Sequence, residues 1–396
     1  MTPRIRLKAL ARAAARLAVG MLLGLVILEG LLRVNPGLLL SGMALPSPAD
    51  PRVEVREYDI RLSDADVFFW MPERIRPIPP EADAVEAWVR FETDEIGFVN
   101  AAPVPDEVDV VVLGRSYSLG AQAETPWPRL LAAREGWRVL NLSQAGSGLD
   151  IKLGYLRRFG VPRNPDWVVL EELPSMDVLG YEETPGLVVG RLVAPVIREL
   201  SRRLQPSASQ VGAQQVYPIT VSLPGGSQEA VFFDHYVSAL SARREDIVGS
   251  RSWSAFRDDL QSIVDLVQET GSCLALLYAP TNVEVYFALA TDIAQLRPAV
   301  AGLPSWHLEA TGELVLDRTR TADVELLRSQ VSVARGLLRE LAQELGLVFI
   351  DPTDAMMEAV LAGQTPFMQY DTHWSSLGHE LVASLVAHEL VAADCP

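Results

Sequence analysis

The sequence predicts an α/β fold, a three-layer sandwich around a mainly parallel five-stranded sheet. Two observations predict it. Five short runs are mainly apolar, with no alternation of polar side chains: VDVVVLG (108–114), WRVLNLS (137–143), DWVVLEE (166–172), CLALLYAP (273–280) and LGLVFIDP (345–352). Strands covered on both faces read this way. Helical patterns separate them: PWPRLLAARE (126–135), GLDIKLGYLRRFG (148–160), WSAFRDDLQSIVDLVQETG (253–271) and VELLRSQVSVARGLLRELAQELG (324–346), with SSLGHELVASLVAHELV (375–391) closing the chain. Strand–helix alternation of this kind builds parallel sheets. A length of 396 residues, 49% of them hydrophobic, accommodates one large domain with insertions or two ordinary ones.

Ahead of the first strand the chain reads differently. Five basic residues, Arg4, Arg6, Lys8, Arg12 and Arg16, precede LAVGMLLGLVIL (17–28) and the first acidic residue, Glu29. The uncharged core is short for a span, but the stretch from Ala9 to Val34 is long enough if its arginines reach toward the interfaces. Residues 1–35 are therefore expected to be a signal anchor or transmembrane helix, with a cleaved signal peptide as the alternative. Positive-inside logic exports the chain beyond that segment. Residues 36–105 read as a linker and N-terminal extension, and 106–396 as the main domain. The interval of about 178–250 breaks the alternation and reads as an insertion on one edge of the sheet. It holds an amphipathic stretch (190–204) and a strand pair around VYPITVSLPGGSQEAVFF (216–233).

The net charge of −17 argues against nucleic acid as a partner. Cys273 and Cys395 are too few for a disulfide scaffold or a zinc cluster, and no HExxH occurs. They are able to pair with each other in an oxidising compartment. No metal and no cofactor are implied.

In open parallel sheets, ligands bind beyond the carboxyl ends of the strands. Three polar segments fall there: GRSYSLG (114–120), SQAGSG (143–148) and DTHW (371–374). Acyl transfer needs a hydroxyl, a base, a group that orients the base, and donors for an oxyanion. Ser116 stands two residues past Gly114, where a sharp turn exposes its oxygen and the following helix aims free N–H groups at it. His373 is the candidate base and Asp371 its orienting acid. Gly146 allows close backbone approach and offers an N–H. The plainer reading of Ser116 is a helix cap; the DTHW segment at the other end of the domain favours the nucleophile. Ser118 suits a cap better. His379 and His388 are expected to be structural, and Asp94 to form a turn.

These segments together resemble the SGNH (GDSL-type) hydrolase family, whose fold is flavodoxin-like. GRSYSLG is similar to its first block, Gly146 to its second-block glycine, and DTHWSSLGHELVA (371–383) to its C-terminal block. FETDEIGFVN (91–100) and YAPTNVEVY (278–286) look like further segments of exported, membrane-anchored members, with Asn282 where a lysine is usual. Arg115 stands where the common pattern has Asp, EELPSMD (171–177) lacks the third-block asparagine, and acid and base are spaced Asp-x-His. Those departures resemble the branch of alginate-type polysaccharide O-acetylation proteins. The resemblance implies a serine esterase or O-acetyltransferase acting on acyl esters, an envelope or extracellular glycan being the expected substrate, outside the cytoplasm. Arg115 then serves as an oxyanion or anionic-substrate group, or pairs with Glu171 or Glu172. The competing expectation is a non-catalytic scaffold that binds a glycan or a partner.

Overall fold

The computed structural model describes residues 57–62 and 87–92, then 94–179 and 216–395 with short gaps that include 145–146, 174–177 and 369–371. The chain divides into two compact units. One, residues 1–48 and 182–211, lies outside the described residues, as do the expected N-terminal membrane helix and the 190–204 stretch. Among the described residues no helix is long and apolar enough to cross a membrane.

The other unit, residues 49–181 and 212–396, carries the sheet. It opens with an antiparallel pair, β1 (Glu57–Leu62) and β2 (Ala87–Glu92), inside the stretch read as a linker. Then come β3 (Val110–Leu113), α1 (Ser116–Leu119), α2 (Trp127–Glu135), β4 (Val139–Asn141), α3 (Leu149–Tyr155, continuing as a π turn to Gly160) and β5 (Trp167–Glu172). The 216–233 stretch is the hairpin β6 (Val216–Leu223) and β7 (Gly226–Phe233), followed by α4 (Asp234–Ala239), α5 (Arg244–Val248) and α6 (Arg251–Glu269). The chain continues through β8 (Cys273–Tyr278), α7 (Asn282–Leu289), α8 (Arg297–Val300), a second hairpin of β9 (Pro304–Leu308) and β10 (Leu314–Thr321), α9 (Val324–Gln330) and α10 (Val333–Glu344). It ends in β11 (Val348–Ile350), α11 (Thr353–Leu361) and α12 (Ser376–Ala392).

The five predicted strands form one parallel sheet in the order β11-β8-β5-β3-β4. Alternate residues of β3 explain its three layers. Val110 and Val112 pack into a core with Trp127 and Val382, while Val111 and Leu113 pack into the opposite core with Phe256 and Leu338. Period-two alternation sends neighbours to opposite faces, so a strand between two helix layers must be apolar throughout. Packing of this unit begins before residue 106: Phe98 is buried edge-on against Tyr155 and Phe159. The β6–β7 hairpin, within the stretch read as an insertion, packs into this unit, with Val221, Phe232 and Phe233 buried in the first core. Cys273, at the start of β8, and Cys395, after α12, form a disulfide.

Candidate active site

The turn after β3 is built around Gly114. A Cβ there would lie 2.5 Å from Cβ of Ser118 and 2.8 Å from Oε2 of Glu171, so only glycine fits. Arg115 then takes φ −102°, ψ −148° and starts α1 with no side-chain cap, leaving Ser116 as the first helical residue. Gly120, at φ +64°, stops the helix after one turn. Ser116 is thus no N-cap; it stands at the helix N-terminus, 9% exposed, where the first N–H groups have no partner within the helix. Ser118 is no cap either. It is fully buried inside α1, and its Oγ accepts the indole N–H of Trp127 at 2.9 Å.

The second polar segment is tied to this turn. Gln144 donates its N–H, and Ser147 its hydroxyl, to the carbonyl oxygen of Gly114, each at 3.0 Å. Asn141 donates from Nδ2 to the carbonyl of Ser118 at 2.9 Å, while its own backbone exchanges hydrogen bonds with the side chain of Asn100. Asn100 in turn donates to Asp94 at 2.7 Å, and Asp94 accepts the N–H groups of Ile96 and Phe98. Asp94 is the expected turn former, and through Asn100 and Asn141 its turn supports α1. Gly146 lies outside the described residues.

The third segment reaches the same place through Tyr117. Its hydroxyl donates to the carbonyl oxygen of Thr372 at 2.9 Å. Its ring lies 4.8 Å from the imidazole of His373 and 4.9 Å, edge-on, from Trp374. Residues next to Ser116 and next to His373 are therefore in direct contact, although 255 positions separate Tyr117 from Thr372. His373 is buried, and its carbonyl accepts the N–H of Met368. Trp374 is fully buried, bridges to Phe367 and donates from Nε1 to the carbonyl of Pro280. Ser375 caps α12, accepting the N–H of Gly378. Asp371 lies outside the described residues.

His379, one turn into α12, is structural: Nδ1 accepts the N–H of Trp127 at 3.2 Å. Burial, and secondarily the nearby His373, push its pKa down to about 3, so it stays neutral. Asn282 is also structural in part. It opens α7 behind the Thr281–Glu284 capping box and donates to the carbonyl of Val231.

Beneath the Ser116 turn lies a charged group whose members the sequence brought together only in part. The backbone N–H of Arg115 donates to Oε1 of Glu171 at 3.1 Å, and Lys152 donates to Oε1 of Glu172 at 2.9 Å and to the carbonyl of Glu171 at 2.6 Å. Lys152, Glu171 and Glu172 are fully buried, and Arg115 is 8% exposed. Lys152 was detectable in principle, because in α3 it falls in phase with the buried Leu149 and Tyr155. Nothing local in the sequence marks Tyr117 as a contact of the His373 segment.

No protein-family profile matches the chain, and no curated protein matches it. Several solved structures are similar at low identity. They include a GDSL-like lipase from Bacteroides thetaiotaomicron, 10% identical, with 74% of this chain and 93% of that one covered and a TM-score of 0.36. Phospholipase A1 from Streptomyces albidoflavus is 15% identical over 72% and 98%, with a TM-score of 0.37. A variant of an acetyl-xylooligosaccharide esterase from Geobacillus Stearmophilus is 12% identical over 74% and 97%, with a TM-score of 0.36. At TM-scores this low, none of these likenesses bears on the chemistry.

Proposed function

We infer that the protein is an SGNH-type serine enzyme of acyl esters, an esterase or O-acetyltransferase acting on O-acyl groups of an envelope or extracellular glycan. The observation that carries this reading is the contact of Tyr117 with Thr372 and His373, which joins the Ser116 turn to the histidine segment at the carboxyl ends of the strands. Ser116 Oγ attacks the acyl carbonyl while His373 takes its proton, and Asp371 holds the imidazole in the required tautomer. The backbone N–H groups of Ser116 and Gly146 receive the oxyanion. Collapse breaks the ester C–O bond, and the proton passes from His373 to the departing alcohol. Water or a sugar hydroxyl then attacks the acyl-serine and regenerates the enzyme.

The enzyme works outside the cytoplasm, tethered by residues 1–35. The basic N-terminus followed by an apolar stretch supports that location, as does the Cys273–Cys395 disulfide, since such bonds persist in oxidising compartments. The absence of an asparagine in 171–177 favours the alternative of a binding scaffold. Turnover of acetyl and octanoyl aryl esters, with and without an acceptor polysaccharide, separates the readings. Ser116-dependent acetyl ester cleavage, diverted to the glycan when it is present, supports transfer. Cleavage that the glycan does not divert supports an esterase. Glycan binding without turnover in the wild type contradicts catalysis.

A further inference from the structure

Three fully buried ionisable side chains, Lys152, Glu171 and Glu172, meet at the end of β5, the strand that pairs with β3. The register explains the arrangement. Leu113 pairs with Leu170, so Glu171 comes level with the Gly114 turn as the two strands end. Its carboxylate lies against Gly114 and accepts the N–H of Arg115, the residue immediately before Ser116. Glu172, its neighbour on the strand, takes Lys152 instead, and Lys152 also holds the carbonyl of Glu171. Lys152 itself starts from the second polar segment, because its N–H bonds to the carbonyl of Gly148.

Burying such a group is a poor route to stability, because desolvation offsets most of the Coulombic gain, and apolar replacements are often neutral or better. A buried side-chain oxygen that accepts a backbone N–H does fix the position of the peptide that donates to it. We propose that Glu171 is a positioning residue for Ser116. Its carboxylate fixes the Arg115 peptide, so that α1 begins at Ser116 with the serine N–H and Oγ turned to the acyl group. Lys152 holds the end of β5 in register for that contact. This rests on the acyl-transfer reading of the site.

The test compares Glu171→Ala and Glu171→Gln in the full-length protein. A fluorophosphonate labels the nucleophile, with the limiting rate and the half-saturating concentration measured separately. Amide hydrogen exchange follows the peptide that contains 114–118. The glutamine keeps an acceptor oxygen with the same reach, so it is expected to label within about threefold of wild type and to keep the exchange protection. The alanine variant is expected to lose about tenfold or more in limiting rate at unchanged half-saturation, with faster exchange confined to the turn. A merely structural role would instead lower the melting temperature and raise exchange throughout the unit. Wild-type labelling and protection in the alanine variant overturn the proposal, as does a glutamine variant as slow as alanine. A wild type that takes no label contradicts the acyl-transfer reading. Glu171 then has no reaction to serve, and the exchange data separate that failure from a turn that Glu171 does not hold.

Discussion

Replacing Tyr117 by Phe removes one oxygen from the junction between the Ser116 turn and the His373 segment. The ring keeps its contacts with His373 and Trp374, at 4.8 and 4.9 Å, and only the hydrogen bond to the Thr372 carbonyl is lost. Tyr117 and Thr372 are both buried, so water does not readily replace the missing donor. Such losses cost about 1–3 kcal/mol. In a domain of this size that lowers the melting temperature by roughly 2–4 °C for each kcal/mol. The effect on chemistry is expected to exceed the effect on stability. A catalytic group displaced by about 1 Å can lose roughly 100-fold in rate, so Tyr117→Phe should label with fluorophosphonate about 10- to 100-fold more slowly than wild type. Stopped-time labelling read by intact mass, beside a thermal melt, measures both. Wild-type labelling with a lowered melting temperature would refute the reasoning, since the bond would then be holding the fold and not the proposed base, His373.

Three further outcomes are expected. Reducing the disulfide, or replacing Cys273 and Cys395 by serine, opens a loop whose ends are 122 residues apart; the chain-entropy relation gives a loss of about 5 kcal/mol, read by denaturant titration with and without reductant. Gly114→Ala forces a methyl group against Ser118 and Glu171, so stability should fall by about 1–3 kcal/mol and labelling of Ser116 should be lost even below the melting temperature. His379 is neutral in the fold down to about pH 3, whereas in the unfolded chain it takes a proton near its ordinary value of about 6.5. Its contribution is fully present above that value and declines as the pH falls through the window at about 1.4 kcal/mol per pH unit at most. His379→Asn, which keeps an acceptor for the Trp127 N–H, should flatten that part of the stability curve measured by denaturant titration from pH 7 to pH 4.

The central sheet was legible because its strands are short, apolar on both faces and separated by amphipathic helices. The pairs β1–β2 and β9–β10 were not. LVLDRTRT (314–321) mixes charged residues into its run and carries no buried-strand signal. The stretch 324–346 read as one helix but is two, α9 and α10, with Val331 and Ser332 at the break; a β-branched residue followed by serine weakens helix continuation there. Ser116 and His373 were readable as candidates because glycine, serine and DTHW stand at strand and helix ends. Their connection was not, since it runs through Tyr117, whose role depends on a contact across most of the domain. Glu171 and Glu172 were read as rival partners of the Arg115 side chain. Beyond that expectation, the structure places Lys152 on Glu172 and the backbone N–H of Arg115 on Glu171, contacts set by strand alternation and the β3–β5 register.

The most direct test of the account is active-site titration of the protein with a fluorophosphonate, followed by peptide mapping. The account predicts one adduct, on Ser116, absent in Ser116→Ala and formed much more slowly in His373→Ala. A folded protein that forms no adduct, or forms it on another residue, would contradict the assignment of Ser116 as the nucleophile.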